Sequence, residues 1–325
     1  MIVPDGFISD CNPLTIQRSD PVYFPGTEGI HVHAIAGGTA FQRTMGPRTA
    51  LAAKNTTCGF SQDKSNYWVP QLYYHLENGS FALMEFVNMP VWYRNRACDY
   101  VPDREDCDGA SLPRAPPAGL RMVAGNPFLR TYNSSDIAQR AIYHECNIEL
   151  PSGKITKVKS HELPRRSCVA LSLKVWMQSC WDGKNLDSVD HVSHLAYPAI
   201  GDYDGGVCPE THPVAIATMM VSAGFNVEPY PDYENWVYSM GDPTGYGLHA
   251  ELISGWTDEE AMRQGLETCS GVLGVANPDC TLTQGKMSNQ LWSGVAQVPE
   301  VPAPKEELGQ DGPIPKLPGN NPVTA

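Results

Sequence analysis

Apolar and aromatic residues fall in short runs along the chain, each cut off by Gly, Pro, Asn or Asp. Tyr67–Tyr74 and Phe81–Val87 are two such runs, separated by Glu77-Asn78-Gly79-Ser80. Asn-Gly supplies the positive φ angles of a tight turn, so the pair predicts a β-hairpin. Gly29–Ile35, Leu120–Ala124, Ala170–Ser179, Val214–Val221 and Trp236–Met240 predict further strands of the same kind. Helical spacing occurs twice. Ser135 is placed to cap a helix over Asp136–Glu145, with Ile137, Ala141 and His144 on one face. Thr257-Asp-Glu-Glu260 reads as a capping box that opens a helix ending near Cys269. Short strands with two or three helices predict a mainly β fold, a β-sandwich or jelly-roll-like core with long disulfide-tied loops. Seven prolines after Val298 predict one domain over residues 1–297 and a flexible tail over 298–325.

Composition narrows the class. The 325 residues carry 23 Lys and Arg against 36 Asp and Glu, a formal charge of −13. With no basic block, nucleic acid and anionic membrane are excluded as partners, because both need a cationic surface. A neutral sugar or a cation fits better, and a monomer is expected. A hydrophobic share of 42% is enough for a real core, which excludes global disorder.

Ten cysteines are scattered over the chain with no C-x-x-C pair, so disulfides are the better reading than a zinc site. Their pairing stays open, with Cys98–Cys107 and Cys269–Cys280 as candidate short loops. Three glycosylation sequons, at Asn55, Asn78 and Asn133, agree with an oxidising compartment. Met1–Asp10 lacks the basic start and apolar stretch of a signal peptide, and no run reaches membrane-spanning length. A mature chain, secreted to the extracellular space or cell wall, is the expectation.

The common catalytic signatures fail. There is no G-x-S-x-G, no phosphate-binding glycine loop and no G-x-G-x-x-G. His144-Glu145 and His161-Glu162 lack the second His of a zinc metalloprotease. Met1 does not supply the N-terminal His of a polysaccharide copper oxygenase.

Three polar clusters remain. The segment from Cys180 to Pro198 holds Asp182, Asp187, Asp190, His191 and His194, together with Trp181, Asn185 and Tyr197. A Gly- and Asp-rich loop on a rigid β scaffold is where chemistry tends to sit. His31-Val-His33 puts two imidazoles on one face of an extended strand, near enough to share a ligand. Asp242, Tyr246 and His249 hang from a third Gly-rich loop, and His212 stands alone between Cys208 and Pro213. Each residue also has a plain structural use, since Asp closes Asx-turns and loop imidazoles bind backbone carbonyls. His31, His33, Asp182, Asp187, His191 and His194 are the candidate catalytic residues. His31, His33, His191 and His194 are the candidate ligands if a divalent metal binds. Lys64, Trp68, Tyr73, Trp181, Asn185, Tyr197, His212, Asp242, Tyr246 and His249 are the candidate substrate contacts, their rings suited to stack on pyranose faces.

Arg18-Ser-Asp-Pro21, His31-Val-His33, Asp63-Lys-Ser-Asn-Tyr-Trp68, Gly119-Leu-Arg-Met-Val-Ala-Gly125, Cys180-Trp-Asp-Gly-Lys-Asn-Leu-Asp187 and Gly241-Asp-Pro-Thr-Gly-Tyr-Gly247 carry a resemblance. Over about Pro21–Cys280 the chain resembles a secreted, mainly fungal domain-of-unknown-function family whose members are often joined to WSC modules. The resemblance implies secretion and a role at cell walls or extracellular glycans, and it supplies no catalytic roles. The leading expectation is a carbohydrate-active enzyme, a glycoside hydrolase or polysaccharide lyase using His/Asp acid–base chemistry. Its rivals are a metal-dependent hydrolase or oxidase built on the same histidines and a non-catalytic glycan-binding wall protein.

Overall fold

The computed structural model describes residues 5–271, 273–283 and 295–325. Met1, on which the copper-oxygenase reading turned, lies outside them. The strands that matter here are β1 (Gly6–Cys11), β2 (Pro13–Gln17), β3 (His33–Gly37), β4 (Asn66–Pro70), β5 (Leu72–His75), β6 (Phe81–Leu83), β7 (Phe86–Arg94), β8 (Arg121–Gly125), β9 (Ile142–Glu149), β10 (Ile155–Ser160), β11 (Ala170–Trp176), β12 (Thr218–Phe225), β13 (Trp236–Tyr238) and β14 (His249–Ile253). A six-stranded antiparallel sheet runs β1-β7-β12-β11-β9-β10, and a five-stranded one runs β2-β3-β4-β14-β8. Their facing sides share one apolar core. Val91, Leu173 and Val221 of the first sheet join Ala34, Val69, Met122 and Leu252 of the second. This is the mainly β sandwich that the short apolar runs predict.

The five-stranded sheet is buried on its other face too. There Ile35, Trp68, Val123 and Ile253 pack under loop residues Val22, Phe41, Met45 and Ala50. Burial on both sides explains why the runs that become β3 and β4 read as largely apolar instead of alternating.

Local differences from the sequence reading have identifiable causes. The run Tyr67–Tyr74 breaks at Gln71, whose side chain donates to Leu72 O and Met84 O, so β4 and β5 belong to different sheets. The hairpin after β5 forms as expected, with Leu76 N donating to Ser80 O, although only Gly79 takes a positive φ there. The helix expected over Asp136–Glu145 is a single turn, α1 (Ile137–Arg140), capped by Asp136 and not by Ser135. Ile142, His144 and Cys146 instead face inward along β9, because pairing with β10 and β11 outweighs one turn of helix. Helix α2 (Glu259–Thr268) forms, its cap supplied by Asp258, which accepts from Ala261 N.

All ten cysteines are paired in chain order: Cys11–Cys58, Cys98–Cys107, Cys146–Cys168, Cys180–Cys208 and Cys269–Cys280. Asn55, Asn78 and Asn133 are exposed, as sequon asparagines must be to carry a glycan. Among the described residues no helix is long and apolar enough to cross a membrane.

The Pro-rich segment does not stand off as a separate tail. Leu308, Ile314 and Leu317 are buried, the last two against Tyr73, Phe81 and Val237. Ile314 exchanges two backbone hydrogen bonds with Phe81, and Glu306 pairs with Arg18. Proline spacing reports the absence of regular secondary structure, and the few apolar residues between the prolines are enough to dock an extended strap.

Candidate functional site

Sheet register builds the site. On the outer face of the five-stranded sheet, His33 lies opposite Pro70, and Glu251 lies opposite Trp68 on one side and Val123 on the other. His249, two residues before Glu251, lies opposite Gly125. Side chains two apart on a strand share a face, so His249 and Glu251 project together, and His33 joins them from two strands away. His31 precedes β3 on a bend pinned at both neighbours: Asn321 Nδ2 donates to Ile30 O at 2.8 Å, and Ser239 Oγ donates to Val32 O at 2.6 Å.

The three imidazoles meet. Ring centroids are 4.3 Å apart for His31 and His33, 5.0 Å for His31 and His249, and 5.9 Å for His33 and His249. All three rings are buried, with Glu251 and Asp20 beside them. His33 Nδ1 faces Ser19 O at 3.1 Å, and His249 Nδ1 faces Gly247 O at 2.8 Å. A carbonyl can only accept, so each of these nitrogens carries the ring proton and each Nε2 presents a lone pair inward. His31 Nε2 lies 3.0 Å from His249 Nε2. His31 Nδ1, His33 Nε2 and Glu251 Oε2 find no hydrogen-bond partner.

Burial dominates the electrostatics. It pushes His31 and His33 well below the usual imidazole range, reinforced by neighbouring histidines, and brings His249 down to about 4. The same burial, and then the charge of Asp20, pushes Glu251 well above the usual carboxylate range. Glu251 Oε1 is 3.9 Å from both His33 Nε2 and His249 Nε2, but with the imidazoles neutral these contacts are not ion pairs.

The cluster is reached from solvent. A cavity of about 320 Å³ opens above His31, His249 and Glu251, walled by Tyr23, Phe24 and Phe128. A second cavity of about 220 Å³ is lined by Tyr132, His161 and Tyr246, with Tyr132 stacked on His161 at 4.3 Å. Val123, Gly125, Asn126 and Val192 line both, so the two form one groove. Gly125 keeps its floor open. Its φ is +97°, and a Cβ there would sit 2.8 Å from His249 Cβ and 2.5 Å from Leu248 O.

The other expected site residues fall elsewhere or serve the fold. Asp182 closes an Asx-turn by accepting from Lys184 N and Asn185 N, Asn185 Nδ2 donates back to it, and Trp181 Nε1 donates to Asn185 O. His194 is pinned between Arg121 O at 2.8 Å and Ser188 Oγ at 2.9 Å. Tyr197 donates to Trp176 O, Tyr73 to Leu308 O under the C-terminal strap, and Lys64 to Lys54 O. Trp68 is a core ring packed on Phe41. His212 is half-buried and faces Ser193 O. Asp187 binds Arg121 and His191, and the His191 ring stands edge-on to Tyr23 at 5.0 Å, which places it at the rim of the groove. Of the four candidate metal ligands, His191 and His194 are therefore separate from His31 and His33, and His249 takes their place.

Asp242 acts indirectly. It is buried and accepts from Thr244 N, Thr244 Oγ1, Gly245 N and Gly247 N, which fixes the loop whose Gly247 O holds His249. Glu251 and Asp20 escaped the sequence reading. The signal for Glu251 was its place two residues after His249 in the run His249–Ile253, and Asp20 stands within Arg18-Ser-Asp-Pro21.

No curated protein and no solved structure matches the chain. One family does. The match runs over residues 20–256, a span that contains Asp20, His31, His33, His249 and Glu251. By that match the chain belongs to the family described as domain of unknown function (DUF1996).

Proposed function

We propose that the chain is a secreted carbohydrate-active enzyme that cleaves glycosidic bonds in a cell-wall or extracellular polysaccharide. One observation carries the reading: a continuous groove with exposed or half-buried aromatic walls, floored by the buried imidazoles of His31 and His249 and two buried carboxyl groups, with the buried His33 ring against His31. Aromatic rings suit the apolar faces of sugars, and a small convergent polar set in an otherwise apolar cleft is the usual form of a site. Glycosidic cleavage needs a proton delivered to the departing oxygen and a second group to activate water or take a ring proton. Asp20 and Glu251 lie against one another and count as a single carboxyl unit. The second group is then the imidazole cluster, in place of an opposed carboxylate.

The test is a polysaccharide panel read for new reducing ends, unsaturated uronate and oxidised termini. Hydrolysis raises the first alone, and elimination raises the first two together. Binding to a glycan without any product would reject cleavage and leave a wall-binding protein.

A further inference from the structure

We propose that His31, His33 and His249 together hold one divalent transition-metal cation of the zinc or copper class. The inference rests on the groove being the working site and names what its imidazoles do there. One nitrogen from each ring can be chosen so that all three lie within 4.8 Å of one another. A tetrahedral ion with bonds of about 2.0–2.1 Å needs donors roughly 3.3 Å apart, so the three nitrogens must draw in by at most about 1.5 Å to share one. Among the described residues the other gathering of this kind is Cys11, Cys58 and Asp63, where both sulfurs are spent in a disulfide.

Outer contacts point the same way. The Nδ1–H groups of His33 and His249 each bind a backbone carbonyl, Ser19 O and Gly247 O, an arrangement that fixes the tautomer and aims Nε2 at a metal. Without a cation the cluster is poorly satisfied. If His31 Nε2–H donates to His249 Nε2, then His31 Nδ1 and His33 Nε2 remain buried acceptors with no donor. Buried polar atoms are rarely left so, and two imidazole acceptors in one cluster call for positive charge. Glu251 Oε1, 3.9 Å from two of the Nε2 atoms, is placed to take a fourth position or to bind a metal-held water. Three imidazoles select zinc or copper over calcium or magnesium, which prefer all-oxygen shells.

The experiment uses full-length protein made without a His-tag, stripped with chelator and dialysed against Zn²⁺, Cu²⁺, Mg²⁺ or Ca²⁺. Expected are near one Zn²⁺ or Cu²⁺ per chain, no Mg²⁺ or Ca²⁺, and a Cu²⁺ resonance split by three nitrogens. His249→Ala and His33→Gln should each weaken binding by at least ~100-fold, beyond the 10–100-fold of outer-shell changes, and His75→Ala should not. No stoichiometric binding, a resonance without nitrogen splitting, or unchanged affinity in the folded His249 variant would overturn the proposal. The wild-type measurements decide even if a variant fails to fold. Stripped and loaded protein are also assayed on the polysaccharide panel. Metal binding without cleavage sinks the enzymatic reading alone, and cleavage by protein that binds no metal sinks the metal alone.

Discussion

His31 and His249 stand 218 residues apart in the chain, and their Nε2 atoms lie 3.0 Å apart in the fold. Three devices produce that contact. The β4 strand sits between β3 and β14 and sets the lateral positions of His33 and His249. The Asp242 loop orients the His249 ring through Gly247 O. The C-terminal strap, through Asn321, holds the bend that carries His31. The Asp242 loop and the strap each give a prediction, as does the groove floor at Gly125.

Gly125→Ala should cost about 2–4 kcal/mol, because the new methyl meets backbone and the His249 side chain at under 3 Å in a left-handed conformation. Gly79→Ala, also at positive φ but with nothing within 4 Å, should cost only about 1 kcal/mol. Urea midpoints of the two variants measure the difference, and equal midpoints would show that the groove floor is not closely packed.

Asp242→Ala should cost about 3–5 kcal/mol by stranding four donors in a buried loop. Asp242→Asn keeps two acceptor lone pairs and should cost less. If Asp242 only positions His249, the folded Asn variant should lose kcat with KM nearly unchanged, whereas a sugar-binding role would raise KM.

Leu317→Ala should cost about 2–4 kcal/mol, the usual range for emptying a buried leucine site. A detached tail would make this change silent. Thermal unfolding of the variant separates the two.

His144 gives a pH prediction away from the groove. It is buried between Ser160 O and Tyr238 Oη, and burial lowers its pKa from 6.5 to about 4. The unfolded chain therefore gains a proton near pH 6.5 that the native state refuses. The contribution is complete above pH 6.5 and is lost as pH falls through about 4, a change of at most roughly 3 kcal/mol. Comparing urea unfolding at pH 7.5 and 4.5, wild type should lose more stability than His144→Gln. Identical losses would show that His144 does not set the slope.

Much of the fold was legible because it rests on local signals. Gly79 marked the β5–β6 hairpin, cysteine spacing marked the disulfides, and apolar runs marked most core strands. The site was half legible. His31 and His33 share a face because strand geometry demands it, whereas joining them to His249 depends on the β3-β4-β14 order, which no local pattern encodes. Density of polar residues did not point to this cluster: in the Asp182–His194 loop Asp182 and Asp190 accept from the loop's own backbone, and His194 holds Arg121 O. Glu251 was hidden inside an apolar run, where a buried acid looks like an interruption of a strand.

On the proposed function, chemistry happens at His31, His33 and His249 and not at the Asp182–His194 loop. Its most direct test is kcat/KM on the best substrate of the polysaccharide panel for His249→Ala and Asp182→Asn, each checked for native circular dichroism and intact disulfides. His249→Ala should lose at least about 100-fold, the scale of removing a proton-transfer or metal-holding group, and Asp182→Asn less than about threefold. Full activity in folded His249→Ala, or a larger loss in Asp182→Asn, would contradict it.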